Sequence, residues 1–275
     1  MTLLAQITDL HLRPSGLTCY RVSDTNMRAE RAVQALLALS PRPDAVLVSG
    51  DLTDKDDPRE YAQVRRILGK LPMPVYVIPG NHDGSDTMRR ELAEFPCVGA
   101  SSGSKLYYTA EIGDLRLIAL DTHVPGQPHG ELGEEQLAWL SDELSASDKP
   151  TVVALHHPPI PTGLGHMDRI GLKDTAALQK VLRPHGHIER IVCGHVHRPI
   201  TASFAGKTLT IAPSTAHQVV LDLDGNGSGY FNFEPAAYYL HAYIDGFGLV
   251  THTAYVENFE GPFPFWADEG VSWPG

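Results

Sequence analysis

Five apolar runs in this chain each end on side chains that hold metals or move protons. "LLAQIT" (3–8) leads to Asp9 and His11. "DAVLVSG" (44–50) leads to Asp51, with Asp54 three residues on. "VYVIPG" (75–80) leads to Asn81, His82 and Asp83. "TVVALHH" (151–157) closes on His156 and His157, and "IERIVCGH" (188–195) closes on His195, with His197 two residues later. Any one of these is ordinary turn or cap chemistry. Five in order constrain the fold. In an open α/β sheet the carboxyl ends of the strands border one crevice, so residues far apart in sequence converge there. Burying that many polar groups with nothing to satisfy them is costly. Asp, Asn and His are hard or borderline donors that suit Mn, Fe, Zn or Co rather than a thiolate-seeking metal. Their number fits two ions. Glycines stand directly before Asp51, Asn81 and His195, where they let the backbone turn sharply beside the ions.

Between the runs the pattern turns helical. Residues 24–39 carry Met27, Val33, Leu36 and Leu37 at helical spacing, with Ser23 or Asp24 as cap. A second helix is expected over 58–70, opened by Pro58, and others over 85–94, 134–145 and 173–183. Gly113-Asp114 reads as a hairpin between 105–112 and 115–122, and Ala205-Gly206 as a hairpin within 200–212. The order β-α-β-α-β followed by mixed hairpins and further βα units predicts layered α/β with mixed sheets and helices outside. From residue 217 the chain turns rich in Tyr, Phe, Gly and Pro, with a hairpin expected at Asp245-Gly246. The expected division is therefore a main domain over 1–216 and a C-terminal arm over 217–275.

The net charge of -11 argues against a partner such as long nucleic acid, which is bound by neutralising phosphates. It leaves room for a small phosphate-bearing substrate, because bound cations invert the local field. The three cysteines share no close spacing, the first residues have neither the basic flank nor the apolar length of a secretory signal, and no window approaches a membrane span. The expectation is a soluble cytoplasmic protein without membrane partners.

Taken together, Asp-x-His, Gly-Asp-x-x-Asp, Gly-Asn-His-Asp, His and Gly-His-x-His resemble the calcineurin-like metallophosphoesterase superfamily, over residues 3 to about 215. The resemblance implies a four-layer α/β/β/α sandwich with a C-terminal β-rich arm, and two divalent or trivalent ions (Fe, Mn, Zn or Co). By position, Asp9, His11 and His197 resemble ligands of one metal, and Asn81, His156 and His195 those of the other. Asp51 falls at the bridging carboxylate. His82 matches the histidine that faces substrate and assists the leaving group, and Asp83 the carboxylate that orients it. "LHHPPIPTGLGHMD", "APSTAHQV" and "EPAAYYLHAY" carry a closer likeness to class III cyclic-nucleotide phosphodiesterases and bacterial glycerophosphodiesterases. In that branch the arm serves dimer contacts and a cap, which implies a homodimer or higher homo-oligomer, and His217 would contact substrate beside Asn81 and His82.

The implied reaction is hydrolysis of a small phosphodiester by attack of a metal-bound hydroxide. Cyclic nucleotides, glycerophosphodiesters and phosphonate monoesters are the implied substrates. A phosphomonoesterase or nucleotide pyrophosphatase is the competing enzyme reading, and a catalytically silent binding scaffold the competing reading of another class. His157 is expected to be structural and Asp54 to orient a neighbour. Asp121, His123 and His129 lie on a predicted loop and are candidates for substrate contact.

Overall fold

The computed structural model describes residues 1–100, 103–224, 229–263 and 265. In chain order the elements begin β1 (Thr2–Ile7), α1 (Thr25–Ala38), β2 (Ala45–Ser49), α2 (Pro58–Leu68), β3 (Val75–Ile78) and α3 (Ser85–Glu91). The middle holds β4 (Tyr108–Ile112), β5 (Leu115–Ala119), α4 (Glu134–Ser145), β6 (Thr151–Ala154), α5 (Gly165–Asp168), α6 (Thr175–Leu182) and β7 (Ile188–Cys193). The chain continues with β8 (Ile200–Phe204), β9 (Lys207–Ile211), β10 (Gln218–Val219), β11 (Phe231–Asn232), β12 (Ala237–Ile244) and β13 (Gly248–Tyr255).

Two large mixed sheets form, in the orders β13-β12-β1-β2-β3 and β4-β5-β6-β7-β9-β8, with a small β10-β11 ribbon beside them. Side chains on a strand alternate between faces, and here both faces are apolar. On one face of the first sheet Ala5, Ile7, Val46 and Val48 pack on Val33 and Leu36 of α1 and on Tyr61, Val64 and Ile67 of α2. On the other, Leu4, Leu47 and Ile78 meet Leu117, Val152 and Val192 of the second sheet. That sheet's outer face sets Ile118, Val153 and Ile191 against Leu137 and Leu140 of α4 and Leu178 and Leu182 of α6. Three apolar seams make four layers, as expected from the sequence.

The helix ends follow their chemistry. Asp24 Oδ1 accepts from Met27 N at 3.0 Å at the start of α1. Asp57 and Glu60 form a reciprocal capping box ahead of Pro58 in α2, which satisfies donors that no intrahelical partner reaches.

The C-terminal segment is β-rich, as expected, and its last hairpin joins the first sheet. β12 pairs antiparallel with β1 over Leu4↔His241 and its neighbours. The turn falls at Asp245-Gly246 as expected, with Gly246 at φ 74°. Trp266, part of the expected aromatic end, lies outside the described residues.

A buried polar chain ties the C-terminal hairpin to both sheets. His241 Nε2 meets Gln6 Oε1 at 3.0 Å, and Gln6 Nε2 donates to Ser49 Oγ at 2.8 Å and to the Cys193 carbonyl at 3.0 Å. His241 Nδ1 lies 2.9 Å from Thr251 Oγ1. Burial disfavours the imidazolium and pushes His241 down to about 3, with the Arg190 charge adding to the effect. An unfolded histidine titrates near ~6.5. Between that value and about 3 the unfolded chain therefore binds a proton that the folded one does not, and stability falls as pH drops. The metal-free protein is expected to lose about 2 kcal/mol more than its His241→Gln variant between pH 7 and pH 5. Urea unfolding at both pH values checks this, and an equal loss in the two proteins would refute it.

Candidate metal centre

The loops that follow β1, β2, β3, β6 and β7 converge at one end of the facing sheets. Asp9, His11, Asp51 and His197 each offer a ligand atom within 4.8 Å of the others. His197 Nε2 lies 3.2 Å from Asp9 Oδ1 and 3.1 Å from His11 Nε2. His11 Nε2 is 3.7 Å from Asp51 Oδ2, and His156 Nε2 approaches the same oxygen from the other side at 3.4 Å. Asp51 thus faces both expected donor sets. His195 stands by His156, with ring centroids 5.1 Å apart.

The backbone is bent to make this possible. Asp9 (φ 53°), His11 (φ 45°), Asp51 (φ 50°), His195 (φ 69°) and His197 (φ 52°) all adopt left-handed conformations that L-residues with a Cβ disfavour. Such strain collects where the surrounding structure over-determines a functional geometry. The glycines have a related duty. A Cβ on Gly80 would lie 2.1 Å from Asp51 Oδ1 and 2.4 Å from Asp51 N, and one on Gly50 would lie 2.2 Å from His156 Nδ1. At both positions the neighbouring donor occupies the space a side chain would need.

Backbone carbonyls set the histidine tautomers. His156 Nδ1 lies 2.8 Å from the Ser49 carbonyl and His197 Nδ1 2.9 Å from the His217 carbonyl. A carbonyl only accepts, so each Nδ1 carries a hydrogen and each Nε2 is the nitrogen turned inward. Buried side-chain atoms with no hydrogen-bond partner include Asn81 Oδ1, His156 Nε2 and His195 Nε2. These belong to the three residues expected around the second ion. In the other set His11 Nε2 and His197 Nε2 turn toward each other at 3.1 Å, and His11 Nδ1 has no hydrogen-bond partner. Unpartnered atoms in both sets fit a pair of cations, which Asp9, His11 and His197 on one side and Asn81, His156 and His195 on the other would hold, with Asp51 between them.

Charges in the crevice balance one another. Burial raises the Asp9 carboxyl, but His197 beside it wins and holds Asp9 at about 2. Burial likewise opposes the Asp51 carboxylate, yet His156 and His82 keep it well below the usual range. His156 is pushed down by burial and up by Asp51, with a net rise to about 9.

His82 and Asp83 do not pair as the sequence suggested. His82 Nδ1 lies 2.9 Å from the Asp54 carbonyl. Asp83 turns away and accepts from Leu52 N (3.0 Å), Thr53 N (2.9 Å), Thr53 Oγ1 (2.8 Å) and Gly80 N (3.0 Å). It clamps the loop after β2 to the loop after β3, and its contribution to the site is structural. Burial and the Asp51 charge raise its carboxyl to about 6 despite those donors.

The remaining residues sort by their partners. His157 is engaged at both nitrogens, by Thr122 Oγ1 at 2.7 Å and the Pro128 carbonyl at 3.2 Å, which makes it a strut. Asp54 points Oδ1 at His11 Nδ1 (3.6 Å) while Oδ2 receives Arg13 at 3.0 Å, so it steadies His11. Asp121 accepts from Ser85, Leu106 and His123 and holds its loop, while half-buried His129 is not among the grouped candidate ligands. His217 lines a cavity of about 280 Å³ over the cluster, beside Tyr20 and Phe231. Tyr20 and Phe231 were not singled out from the sequence; the aromatic richness around Phe231 was the available signal.

Residues 2–199 match the family model described as calcineurin-like phosphoesterase. The chain belongs to the calcineurin-like phosphoesterase family. Among calcineurin-like relatives, it is 34% identical over 270 residues to the probable glycerophosphodiester phosphodiesterase GpdQ of Arcobacter nitrofigilis, a match covering 98% of each chain. It is 34% identical over 247 residues to a cAMP/cGMP dual specificity phosphodiesterase of Mycobacterium tuberculosis, covering 88% of this chain and 76% of that one. A dimetal phosphatase from Danio rerio shares the fold, with a TM-score of 0.69 at 15% identity over 93% of this chain and 99% of that one. Among the described residues, no helix is long and apolar enough to cross a membrane.

Gly80→Ala tests the cradle directly. The added methyl displaces Asp51, so metal affinity is expected to fall roughly 10–100-fold while the far-ultraviolet dichroism stays that of the parent. Metal analysis after dialysis against defined ion concentrations reads the effect, and two full-affinity ions in the variant would contradict the geometry.

Proposed function

We propose that the chain is a dinuclear-metal phosphodiesterase acting on small diesters: 3',5'-cyclic nucleotides, glycerophosphodiesters and, by the same chemistry, phosphonate monoesters. The observation that carries this reading is the placement of Asp51 between two donor sets, one of which buries three unpartnered atoms, Asn81 Oδ1, His156 Nε2 and His195 Nε2. When bound, a metal pair supplies positive charge against phosphoryl oxygens and lowers the pKa of water. The protein supplies the rest. Asp51 fixes the separation of the two donor sets. Asn81 donates a neutral oxygen, which keeps the cluster positive toward a phosphate anion.

His82 is the proton donor in this mechanism. Its Nδ1–H is committed to the Asp54 carbonyl, so Nε2 is the atom that exchanges a proton. Water adds to phosphorus as the ester P–O bond breaks, the leaving alkoxide takes the proton from His82 Nε2, and the proton shed by the added water passes to solvent, from which His82 is reprotonated. His82 is partly exposed and lines the cavity, as an acid that meets substrate must. Lys and Arg are absent from the lining of that cavity among the described residues. Diesters carry one charge, whereas a terminal phosphate carries about two and would find no further cation there. This favours diesterase over phosphomonoesterase or nucleotide pyrophosphatase, and the intact donor set weighs against a silent scaffold.

The nitrogen and oxygen donors suit Fe, Mn, Zn or Co. The three cysteines are free, which suits a reducing cytoplasm. Phe247, Tyr255, Phe259 and Phe263 are exposed toward the C-terminal end, and we assign them to contact with a second copy of the chain.

Reconstituted enzyme is expected to turn over bis(p-nitrophenyl) phosphate faster than p-nitrophenyl phosphate. A strong preference for the monoester would overturn the diesterase reading. His82→Ala is expected to keep both metals and to slow diesters with poor leaving groups most, by about 10²–10⁴-fold. Asp51→Asn is expected to lose metal and activity together. Metal analysis beside steady-state kinetics separates the two roles, and loss of metal from His82→Ala would remove it from the acid's position.

A further inference from the structure

His82 stands in the wall between two cavities. The first, described above, is aromatic: Tyr20 and Phe231 stack at 5.3 Å, and His217 lies 4.7 Å from Phe231. The second, about 330 Å³, also borders Asn81 and His82 and is polar, lined by Lys55 and His123 and by three carboxylates, Asp54, Asp56 and Asp83. Both cavities share Asn81 and His82. A cyclic diester places both ester oxygens on one compact ring and uses one side of such a wall. A linear diester has two separate arms that diverge from phosphorus and needs room on both.

The polar cleft also has donors to offer. Asp56 is fully engaged, with Oδ1 accepting from Gly84 N at 2.8 Å and Tyr61 Oη at 2.9 Å, and Oδ2 from Thr87 Oγ1 at 3.0 Å. His123 meets Ser85 Oγ through Nδ1 at 3.3 Å, which leaves Nε2 for the cleft. The Lys55 side chain is 65% exposed, and its ammonium reaches only to 3.9 Å from Asp54 Oδ2, a carboxylate oxygen already bound by Arg13 at 3.0 Å. One cation and one imidazole nitrogen therefore face a space that begins at the proposed acid.

We propose that this second cleft is the subsite for one arm of a linear phosphodiester, a hydroxyl-bearing arm that Lys55 and His123 recognise, while the other arm lies on the aromatic wall of Tyr20, His217 and Phe231. The proposal rests on the diesterase reading and extends it to a substrate class. Linear diesters with one oxygen-rich arm fit both sides of His82; cyclic nucleotides fill one. Lys55 and His123 are specificity-determining residues in this scheme, since neither belongs to the proposed ligand set or to the proton transfer.

The test compares two linear diesters on metal-reconstituted enzyme, glycerophosphoethanolamine and ethyl p-nitrophenyl phosphate. The first has a hydroxyl-bearing arm and the second has none. In Lys55→Ala and in His123→Ala the ratio of kcat/KM for the glycerol ester to that for the ethyl ester is expected to fall roughly tenfold or more, the size of a lost hydrogen bond to a charged group. The loss should sit mainly in KM, because binding and not proton transfer is removed. Lys55→Arg, which keeps a cation, is expected to recover part of the ratio. A ratio unchanged within about twofold in both alanine variants, or a wild-type enzyme that cleaves the ethyl ester and ignores the glycerol ester, overturns the subsite and leaves the diesterase reading standing. Fully metallated wild-type enzyme that cleaves neither diester overturns both.

Discussion

The burial of a cluster of charged and polar donors is the constraint around which the molecule is arranged. Asp9, His11, Asp51, His156, His195 and His197 are all almost wholly removed from water. Five of the six are also held on left-handed backbone. Nothing in such a cluster is favourable by itself, since desolvation penalises every charge in it. The apolar seams of the sandwich hold it in place. The strands that end at the cluster are buried over both faces, and their rigidity is what allows the loops beyond them to be strained. The layers of aliphatic side chains and the polar crevice form one device, with the first stabilising what the second destabilises.

The sequence disclosed the parts of the site that are local and withheld the parts that cross the fold. Strand ends, the glycines at 50, 80 and 194, and the order of donors can be read along the chain because each is set by a few neighbouring residues. Asp83 was misread for the same reason. Adjacency to His82 suggested partnership, but consecutive side chains point apart, and the carboxylate found four hydrogen-bond donors on the loops before it. The true partner of His82 is a main-chain carbonyl, and carbonyls leave no trace in residue identity. The tautomers of His156 and His197 depend on carbonyls in the same way.

The double histidine at 156–157 shows how little residue type decides. Both side chains are buried and their rings lie 4.9 Å apart. His156 has one nitrogen satisfied and one free, while His157 has both satisfied, by Thr122 and Pro128. One is poised to bind and the other to brace. The fold as a whole was legible as layered α/β, whereas the fate of the last strands was not. Composition marked residues beyond 217 as different, and only the register between β1 and β12 places them in the main sheet.

That register bears on how the chain is made. β1 leaves the ribosome well before β12, with more than 230 residues between Leu4 and His241. Until the final hairpin emerges, β1 offers an open row of amide and carbonyl groups along one side, the kind of edge on which strands from other molecules add. Nascent chains of this protein therefore carry a sticky border until β12 has been made. Chaperone dependence and the yield of recombinant expression should be governed by that border more than by the chemistry of the crevice.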